Sequence, residues 1–350
     1  MKKTLKIFAV ILVTCILLAA AGVGYLSIRE YRPESVEILQ VPSQNKVLDA
    51  MDSLHILTYN IGYAGLDKDM DFFMDGGTKV NPESKEKVET NLQGIQQILK
   101  DQSADIYLLQ EVDTNSGRSF HINEQEYLED NLNQSGVLAY NFKCDYVPYP
   151  FPPIGKVESG ILTMTNYSIS QASRISLPES FSWPTKICNL KRCMLETRIQ
   201  IKNTDKELVI INFHLEAYDS GEGKIAQSKK LAKKLAKKLQ EEYEKGNYVI
   251  AGGDFNQTFE GMDTYPITNK ENWVPGIMRQ EDLPEHFTFS NADNAPTCRL
   301  LNEVYQKDSQ VYVIDGFIVS DNIEVTFIQN IDTSFEYTDH QPVSMRIKLI

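Results

Sequence analysis

The stretch YVIAGGDFNQ, residues 248–257, predicts a buried strand that runs directly into polar side chains. The apolar run from Tyr248 to Gly252 is short and rich in β-forming residues, as in a strand. Gly252 and Gly253 allow another part of the backbone to approach closely. Asp254 can orient a water molecule and Asn256 can donate a hydrogen bond to a developing charge. The same Gly-Asp-x-Asn sequence also forms ordinary turns, so both interpretations stay open here.

The same arrangement, an apolar strand next to a polar side chain, recurs along the chain. The further positions are Asn60 after HILTY, Gln110 and Glu111 after DIYLL, His214 after LVIINF, Asp315 within VYVIDGFIV, and Asp339 with His340 before the last strand. Loops at strand ends, held by a rigid sheet, are where catalytic groups tend to converge. We therefore expect these side chains to share one site.

Strands outnumber helices in the predicted order of elements. Besides residues 248–252, strands are predicted at residues 54–61, 105–110, 160–165, 168–175, 193–201, 208–213, 311–319, 324–329 and 342–349. Long helices are predicted from Pro82 to about Asp101 and from Gly223 to Lys245. This pattern predicts an α/β domain of two packed sheets flanked by helices, rather than a doubly wound parallel sheet.

The N-terminal segment differs from the rest of the chain. Residues 7–26 are apolar and uncharged, long enough for a membrane-spanning helix, and lysines at positions 2, 3 and 6 precede them. By the positive-inside rule that end stays in the cytoplasm. We predict a transmembrane anchor or signal segment over residues 1–26, a linker over 27–52, and one extracytoplasmic domain over 53–350 at the cell membrane. A cleaved signal peptide and a lipoprotein modified at Cys15 are the alternatives.

The charge of the chain bears on its partners. The formal net charge is −13, which opposes sequence-independent binding to nucleic acid because such binding depends on Lys and Arg contacts to phosphates. A local basic patch can overcome the net charge, and the lysine-rich helix at residues 223–245 could provide one. A solvated outer face is the usual role of such a helix. Nucleic acid therefore stays a possible partner, and oligomeric state is left open.

Five cysteines are present. Cys15 lies in the apolar N-terminal run, and the other four could form two disulfides outside the cell or remain free thiols. Cys188 and Cys193 flank a four-residue loop and could bridge a hairpin. Sequence does not determine the pairing, and no spacing indicates a zinc site.

Two aromatic loops could influence substrate choice. YVPYPFPP at residues 146–153 could line a cleft, and SFSWP at residues 180–184 could dip toward lipid. Packing within the loops is the more common role for such residues.

A series of motifs resembles the endonuclease/exonuclease/phosphatase superfamily. In chain order they are TYNIG, LLQEVD, ESGILT, NFHLEA, GGDFNQ, IDGFIVS and TDHQPV, and they cover residues 54–350. Chance matches would not keep this order. The resemblance implies a DNase I-like, four-layer α/β/β/α sandwich. It also implies hydrolysis of phosphomonoesters or phosphodiesters, as in DNA, RNA, inositol phosphates or sphingomyelin.

The resemblance implies a metal site. Mg²⁺, or alternatively Mn²⁺, would neutralise the substrate phosphate, and a hard cation prefers oxygen ligands. Glu111 is the leading ligand, Asn60 would assist it or position the phosphate, and Asp339 would complete the acidic site. Arg192 lies where some relatives contact substrate, but it could equally decorate a hairpin.

The resemblance also implies roles for the remaining polar residues. Asp254 and Asn256 would lie beside the scissile phosphate. His340 would act as general acid or base or bind phosphate, with Asp315 holding its tautomer and stabilising the imidazolium. His214 would contact the phosphate from the other side. A histidine after a strand is otherwise more often structural.

These inferences predict a Mg²⁺-dependent hydrolase of phosphoric ester bonds on the outer side of the membrane. A lipid headgroup or another small phosphodiester is favoured slightly as substrate, because the chain is tethered near a bilayer and is acidic. An extracellular endonuclease or exonuclease is the first alternative. A catalytically silent surface-binding protein is the second.

Overall fold

Two β-sheets pack face to face in the computed structural model, which describes residues 2–179, 181–216, 223–268 and 272–350, and only the backbone of residues 223–232. The helices are α1 (Lys2–Ile28), α2 (Lys85–Gln102), α3 (Glu124–Leu132) and α4 (Gly223–Glu244). The strands are β1 (Val36–Leu39), β2 (Ser53–Asn60), β3 (Ile106–Asp113), β4 (Ser135–Val147), β5 (Gly155–Thr165), β6 (Ile169–Ser176), β7 (Cys193–Gln200), β8 (Glu207–His214), β9 (Tyr248–Asp254), β10 (Gln257–Phe259), β11 (Gly276–Met278), β12 (Phe287–Ser290), β13 (Cys298–Arg299), β14 (Val311–Tyr312), β15 (Asp315–Ser320), β16 (Ile323–Asn330) and β17 (Val343–Leu349).

Each large sheet contains one parallel pair of strands. The first sheet has the order β16-β17-β2-β3-β5-β4, and the second has the order β1-β6-β7-β8-β9-β15-β12. Strands β2 and β3 run parallel, as do β8 and β9, whereas the other neighbours are antiparallel. Parallel neighbours end at the same edge of a sheet. The polar residues that follow these four strands are therefore brought together in pairs.

Apolar clusters separate four layers. Ile56 and Leu108 of the first sheet pack against Ile210 and Ile250 of the second. Helix α2 covers the outer face of the first sheet, and α4 covers the outer face of the second through residues that include Leu239. The α/β/β/α sandwich expected from the sequence is confirmed.

A buried polar bridge joins the two sheets beneath the strand ends. The side chain of Gln110 donates a hydrogen bond from Nε2 to Asn212 Oδ1 at 2.8 Å, and Asn212 Nδ2 donates to the Leu109 carbonyl at 3.1 Å. Both side chains are fully buried. Because buried polar groups are costly unless paired, this bridge favours one alignment of the two sheets at the level of the site.

The segment predicted as a linker, residues 27–52, instead contributes to the domain. Strand β1 pairs antiparallel with β6, and Leu48 is fully buried in the core between the sheets. The short, half-exposed β1 has too few alternating residues to be detected as a strand.

The N-terminal helix α1 is apolar and exposed along its length. None of its residues is buried, and no charged residue lies between Lys6 and Ile28. It is long and apolar enough to cross a membrane, and a signal sequence would meet the same criterion. The helix is thus consistent with the predicted anchor or signal segment.

Two other predicted boundaries were wrong for local reasons. Helix α2 begins at Lys85 and not at Pro82, because the Ser84 hydroxyl caps it by accepting from the Lys87 N–H. The strand predicted at 311–319 is interrupted, since the N–H groups of Ile314 and Asp315 both donate to the Thr297 hydroxyl. That break defines the start of β15 and so the position of Asp315.

All five cysteines are free thiols in the structure. Cys188 and Cys193, considered above as a hairpin bridge, belong to different apolar clusters. Cys193 Sγ faces the Tyr140 carbonyl, whereas the Cys188 thiol lies within hydrogen-bonding reach of Cys144. The structure therefore does not support the Cys188–Cys193 pairing.

Glu242, whose side chain is fully buried near the end of α4, binds three cationic side chains. Its Oε1 atom lies 2.6 Å from Arg198, 2.9 Å from Lys238 and 2.8 Å from Lys245. Burial alone would raise the pKa of Glu242, but these three partners lower it to about 2. We expect Glu242→Gln to reduce the free energy of unfolding by about 3 kcal/mol at pH 7, because it removes the one fully buried anion that these three cationic side chains share.

The pH dependence of this loss follows from the direction of the shift. Since the pKa of Glu242 is lower in the folded state, its contribution is complete above its unfolded value and is lost as pH falls through about 2. Urea unfolding should therefore show a smaller difference between variant and wild type at pH 3 than at pH 7. Glu241→Gln removes an exposed pair and is the matched control. An equal loss at both pH values would contradict the prediction.

Candidate active site

Four predicted site residues lie at the ends of adjacent strands. Asn60 ends β2, His214 ends β8, Asp254 ends β9 and Asp315 begins β15. The strand registers place Asp254 opposite both His214 and Asp315. Residues distant in the sequence therefore meet at one edge of the sandwich, as expected.

Asp254 is the hydrogen-bonding centre of the site. Its Oδ2 atom accepts from Asn60 Nδ2 at 3.1 Å and lies 3.2 Å from His214 Nε2 and 3.6 Å from His340 Nε2. Burial would raise the pKa of Asp254, but the two imidazoles and the Asn256 N–H hold it well below its usual range. Asp254 is therefore an anion between two histidines.

Gly253 supports this position through its backbone. Its φ is +154°, and a Cβ atom there would lie 2.0 Å from the Phe213 carbonyl oxygen. Only glycine permits this close approach of β9 to β8.

His340 and Asp315 form a buried dyad. His340 Nδ1 lies 2.9 Å from Asp315 Oδ2, and both residues are buried. Burial alone would lower the pKa of His340, but the nearby Asp315, Cys298 and Asp254 raise it well above its usual value. The dyad fixes the ring orientation and directs Nε2 toward Asp254.

Glu111 reaches the site from an irregular part of β3. The pairing of β3 with β5 shifts between Leu109 and Val112, and Glu111 has a positive φ of 55°. A bulge re-aims a side chain, and positive φ in a residue other than glycine is often found at functional sites. Glu111 Oε1 accepts from Asn60 Nδ2 at 3.2 Å and lies 3.9 Å from His214 Nδ1.

Asp339 lies in the same cleft without a direct bond to these residues. Its Oδ1 atom accepts from the Thr338 hydroxyl at 3.1 Å. Burial, reinforced by the negative charge of Glu111, raises the pKa of Asp339 to about 7. A buried carboxyl group close to a second carboxylate is a suitable environment for a cation.

Asn256 adopts a positive φ of 51° directly after β9. Its Nδ2 atom donates to the Leu215 carbonyl at 2.8 Å, and its N–H donates to Asp254 Oδ1 at 2.8 Å. An amide nitrogen carries two hydrogens, so one remains for a ligand. Asn256 thus lies in a turn and at the site, so both interpretations of the Gly-Asp-x-Asn sequence apply to it.

The structure also groups Asp254, Asp315 and His340 as three buried residues whose ligand atoms lie within 4.8 Å of one another. This arrangement could be read as a metal site. The 2.9 Å hydrogen bond between His340 and Asp315 uses the facing atoms of both. Two of the three members are therefore joined by a direct hydrogen bond.

The cleft has apolar walls and polar residues that sequence reasoning missed. Its lining includes Tyr63, Phe72, Phe142, Trp273, Arg118 and Arg192. Arg118 is held by a bidentate pair with Asp113. Trp273 lies in an irregular segment with no pattern that would have marked it. Of these, only Arg192 was noticed in the sequence.

Arg192 is buried, yet its guanidinium is only partly satisfied. Nη2 lies 3.5 Å from Glu216, whereas Nε and Nη1 have no hydrogen-bond partner among the described residues. Buried donors without partners are uncommon in native proteins. A cationic donor that faces the cleft is suited to an anionic ligand.

Solved structures share this fold at low sequence identity. An endonuclease/exonuclease/phosphatase from Beutenbergia cavernae has a TM-score of 0.58 and 15% identity, covering 85% of this chain and 72% of that one. A second, from Bacteroides vulgatus, has a TM-score of 0.56 and 16% identity, with 85% and 100% covered. The human Nocturnin catalytic domain with bound sulfate has a TM-score of 0.54 and 15% identity, with 87% and 97% covered.

No curated protein sequence matches the chain. The sequence profile of one family, however, matches residues 57–340. This match covers every strand end described above. The chain therefore belongs to the Endonuclease/Exonuclease/phosphatase family.

Proposed function

We propose that this protein is a metal-dependent phosphodiesterase whose catalytic domain lies on the outer side of the membrane. The observation that carries the proposal is the convergence of Asp254, the His340–Asp315 dyad and Glu111 on one cleft. A buried anion, a fixed imidazole and a second carboxylate that lines the cleft are groups suited to phosphoester hydrolysis. The family membership supports a hydrolase of this class.

The carboxylates fit a hard divalent cation. Glu111 and Asp339 both line the cleft, and burial, reinforced by the charge of Glu111, raises the pKa of Asp339 to about 7. We propose Mg²⁺, or Mn²⁺, held by Glu111 and Asp339. When bound, the ion would neutralise charge on the substrate phosphate.

Asn60 supports this site more indirectly than the sequence implied. Its Oδ1 atom accepts from the Gly62 N–H at 3.0 Å, while Nδ2 faces Glu111 and Asp254. One of the two lone pairs of the amide oxygen that would ligate a cation is thus already engaged. We propose that Asn60 holds the two carboxylates in position.

The remaining residues can move a proton and hold the phosphate. Asp254, as an anion, can accept a hydrogen bond from an attacking water. His340, with its raised pKa, can donate a proton or a hydrogen bond from Nε2. His214 Nδ1 has no hydrogen-bond partner among the described residues and can contact a phosphate oxygen, as can the second amide hydrogen of Asn256.

Protons should compete with the metal ion for the carboxylate of Asp339. Because the pKa of Asp339 is raised to about 7, this carboxyl is protonated below that pH and must lose its proton to bind a cation. We expect Mg²⁺ to raise the melting temperature more at pH 8 than at pH 6. Differential scanning fluorimetry with and without Mg²⁺ measures this, with Na⁺ at equal ionic strength as control. A larger shift at pH 6 would count against Asp339 as a ligand.

Arg192 should contribute to substrate affinity. We propose that Nε and Nη1, which have no hydrogen-bond partner among the described residues, bind a phosphate oxygen, since charge-assisted hydrogen bonds are the strong ones. Arg192→Ala is expected to raise KM about 10-fold to 100-fold with a smaller effect on kcat, because each such bond contributes about 1.5–3 kcal/mol. Arg192→Lys should recover part of the loss.

Steady-state kinetics of these variants checks the assignment. Arg346→Ala, which removes an exposed arginine of β17, is the control. An unchanged KM in Arg192→Ala would remove this residue from the substrate site.

A lipid headgroup or other small phosphodiester is the favoured substrate, because the apolar helix α1 precedes the domain and the net charge is −13. A nuclease remains the alternative, and a silent binding protein is disfavoured because the polar residues are assembled.

Full-length protein should be assayed with Mg²⁺ and with EDTA on DNA, RNA, sphingomyelin, phosphatidylinositol phosphates and a soluble phosphodiester. EDTA-sensitive turnover of one class supports the enzyme. No turnover of any class by folded protein would favour the binding protein.

A further inference from the structure

The end of helix α1 is attached to the catalytic domain by specific bonds. Tyr25 Oη and Arg29 Nε both donate to Asp145 Oδ2, at 3.2 and 2.7 Å. The Trp183 indole donates to the Ser27 hydroxyl at 3.3 Å. Side-chain hydrogen bonds therefore hold the domain against the end of α1.

A buried ion pair strengthens this attachment. Lys191 Nζ lies 3.0 Å from Glu30 Oε1, and both side chains are almost completely buried. Glu30 comes two residues after the end of α1, and Lys191 precedes Arg192 of the cleft. The burial keeps water from competing with the pair, so the position of α1 is coupled to this side of the cleft.

Exposed aromatic side chains surround the attachment point. Trp183 is 62% exposed, Tyr149 is 73% exposed and Phe151 is 94% exposed, and Tyr146 directly follows Asp145. We call these four residues the aromatic rim. The Cys188 thiol faces the Tyr146 carbonyl, which connects the loops that carry the rim. Their exposure contradicts the expectation that these loops pack their own rings.

The aromatic rim borders the active-site cleft. The ring centroids of Tyr149 and Phe73 lie 6.3 Å apart in an edge-to-face arrangement. Met74, which follows Phe73 in the chain, is exposed and lines the cleft. Phe142 and Ile154, on either side of the loop that carries Tyr149, also line it. The segment from Asp145 to Ile154 thus connects the end of α1 with the mouth of the cleft and carries three exposed aromatic rings.

We propose that the aromatic rim lies on the outer leaflet of the bilayer that α1 spans, so that the cleft opens toward phosphodiesters embedded in that membrane. This inference rests on the proposed function for its substrate and on α1 as a retained anchor for its geometry. A spanning helix places its end at the membrane–water interface, where Trp and Tyr are enriched. Residues bonded to that end lie at the same level.

The lipid bilayer is the occupant that these contacts favour. The rim is continuous with α1, which is itself exposed and apolar and is consistent with a membrane span. Exposed apolar patches of this kind commonly mark a binding surface. A second copy of the chain, or another protein, would have to fit between the domain and the membrane that holds it.

Depth-dependent fluorescence quenching tests the surface without any assay of activity. The chain has two tryptophans, so Trp183→Phe with Trp273→Phe provides a background without indole. Phe151→Trp in that background reports on the rim. Phe327→Trp is the matched control, since Phe327 is exposed on β16, at the edge of its sheet opposite β4.

The two full-length proteins are reconstituted in phosphatidylcholine vesicles with and without brominated acyl chains. We expect brominated lipid to reduce emission from position 151 at least twofold and to leave position 327 unchanged. Equal, weak quenching at both positions would overturn the proposal. Protection of position 151 from acrylamide without quenching by brominated lipid would also overturn it, in favour of a second copy or a protein partner.

Activity then tests the substrate class separately. The double variant Phe151→Ser with Trp183→Ser is expected to hydrolyse a vesicle-embedded phosphodiester about 10-fold more slowly, with an unchanged rate on a water-soluble phosphodiester. Equal loss on both substrates would overturn the assignment to membrane-embedded substrates. Absence of any hydrolysis by the wild type, with quenching at position 151 intact, would refute the proposed function and leave the membrane surface established.

Discussion

His340→Ala is expected to lower kcat about 10⁴-fold, the upper range for loss of a general acid or base. The imidazole is buried, held by Asp315 at 2.9 Å, and directed at Asp254. Alanine removes the transferable proton and leaves both carboxylates without their shared cation. KM should change much less, because the dyad acts on the reaction and not on uniform binding.

His286→Ala is the control for this variant. His286 also pairs with an aspartate, Asp321, at 2.7 Å, but on an exposed surface away from the cleft. Steady-state kinetics on the substrate selected by the panel, with circular dichroism to confirm folding, makes the comparison. If His340→Ala kept more than about a tenth of wild-type kcat, its assignment as general acid or base would be wrong.

Asp315→Asn tests whether catalysis depends on the contact of Asp315 with the His340 imidazole or only on the presence of that imidazole. The amide keeps the volume of the carboxylate but no longer stabilises an imidazolium. We expect a loss of kcat smaller than that of His340→Ala, with the pH profile of kcat displaced toward lower pH because the pKa of His340 falls. An unchanged pH profile would show that Asp315 supports only the local structure.

Glu111→Gln is expected to lower kcat about 10³-fold and to remove the stabilisation by Mg²⁺. The substitution keeps the shape of the side chain and its hydrogen bond with Asn60 while removing one negative charge from the cleft. Loss of a preorganised electrostatic group commonly costs about 10²–10³ in kcat, and loss of a cation ligand affects binding as well. Isothermal titration with Mg²⁺ and the Mg²⁺-induced melting shift provide readouts independent of turnover.

Glu158→Gln is the matched control for Glu111→Gln. Glu158 is partly exposed on the neighbouring β5, where it pairs with Lys156 at 3.0 Å. It should retain both activity and the response to Mg²⁺. Full activity and an unchanged Mg²⁺ titration in Glu111→Gln would move the metal site elsewhere, with the cluster of Asp254, Asp315 and His340 as the next place to examine.

The positions of the polar residues could be predicted from the sequence because their signals are local. A strand such as YVIAGG has a pattern readable within a few residues, and Asp254 and Asn256 follow it directly. The order of the motifs then indicated the family and the fold. The same reasoning failed for β1, which is too short to carry a pattern and which becomes a strand by pairing with β6.

The orientation of these residues could not be predicted, because it depends on partners far away in the chain. Asn60 contacts His340, which lies 280 positions later in the chain. A hydrogen bond from the Gly62 N–H fixes the orientation of the Asn60 amide. The bulge that aims Glu111 exists only where β3 pairs with β5. The lack of hydrogen-bond partners for Arg192 Nε and Nη1 among the described residues likewise results from packing that no local pattern reports.

The sequence by itself determined that an apolar helix precedes an α/β domain and that polar residues follow its buried strands. These features depend on hydrophobic periodicity and on residue type, which are written along the chain. Only the tertiary structure decided how the carboxylates and imidazoles pair, and that α1 is bonded to the domain beside the cleft. These contacts join residues between 25 and 161 positions apart, and their energies depend on burial and distance, which exist only once the chain has folded.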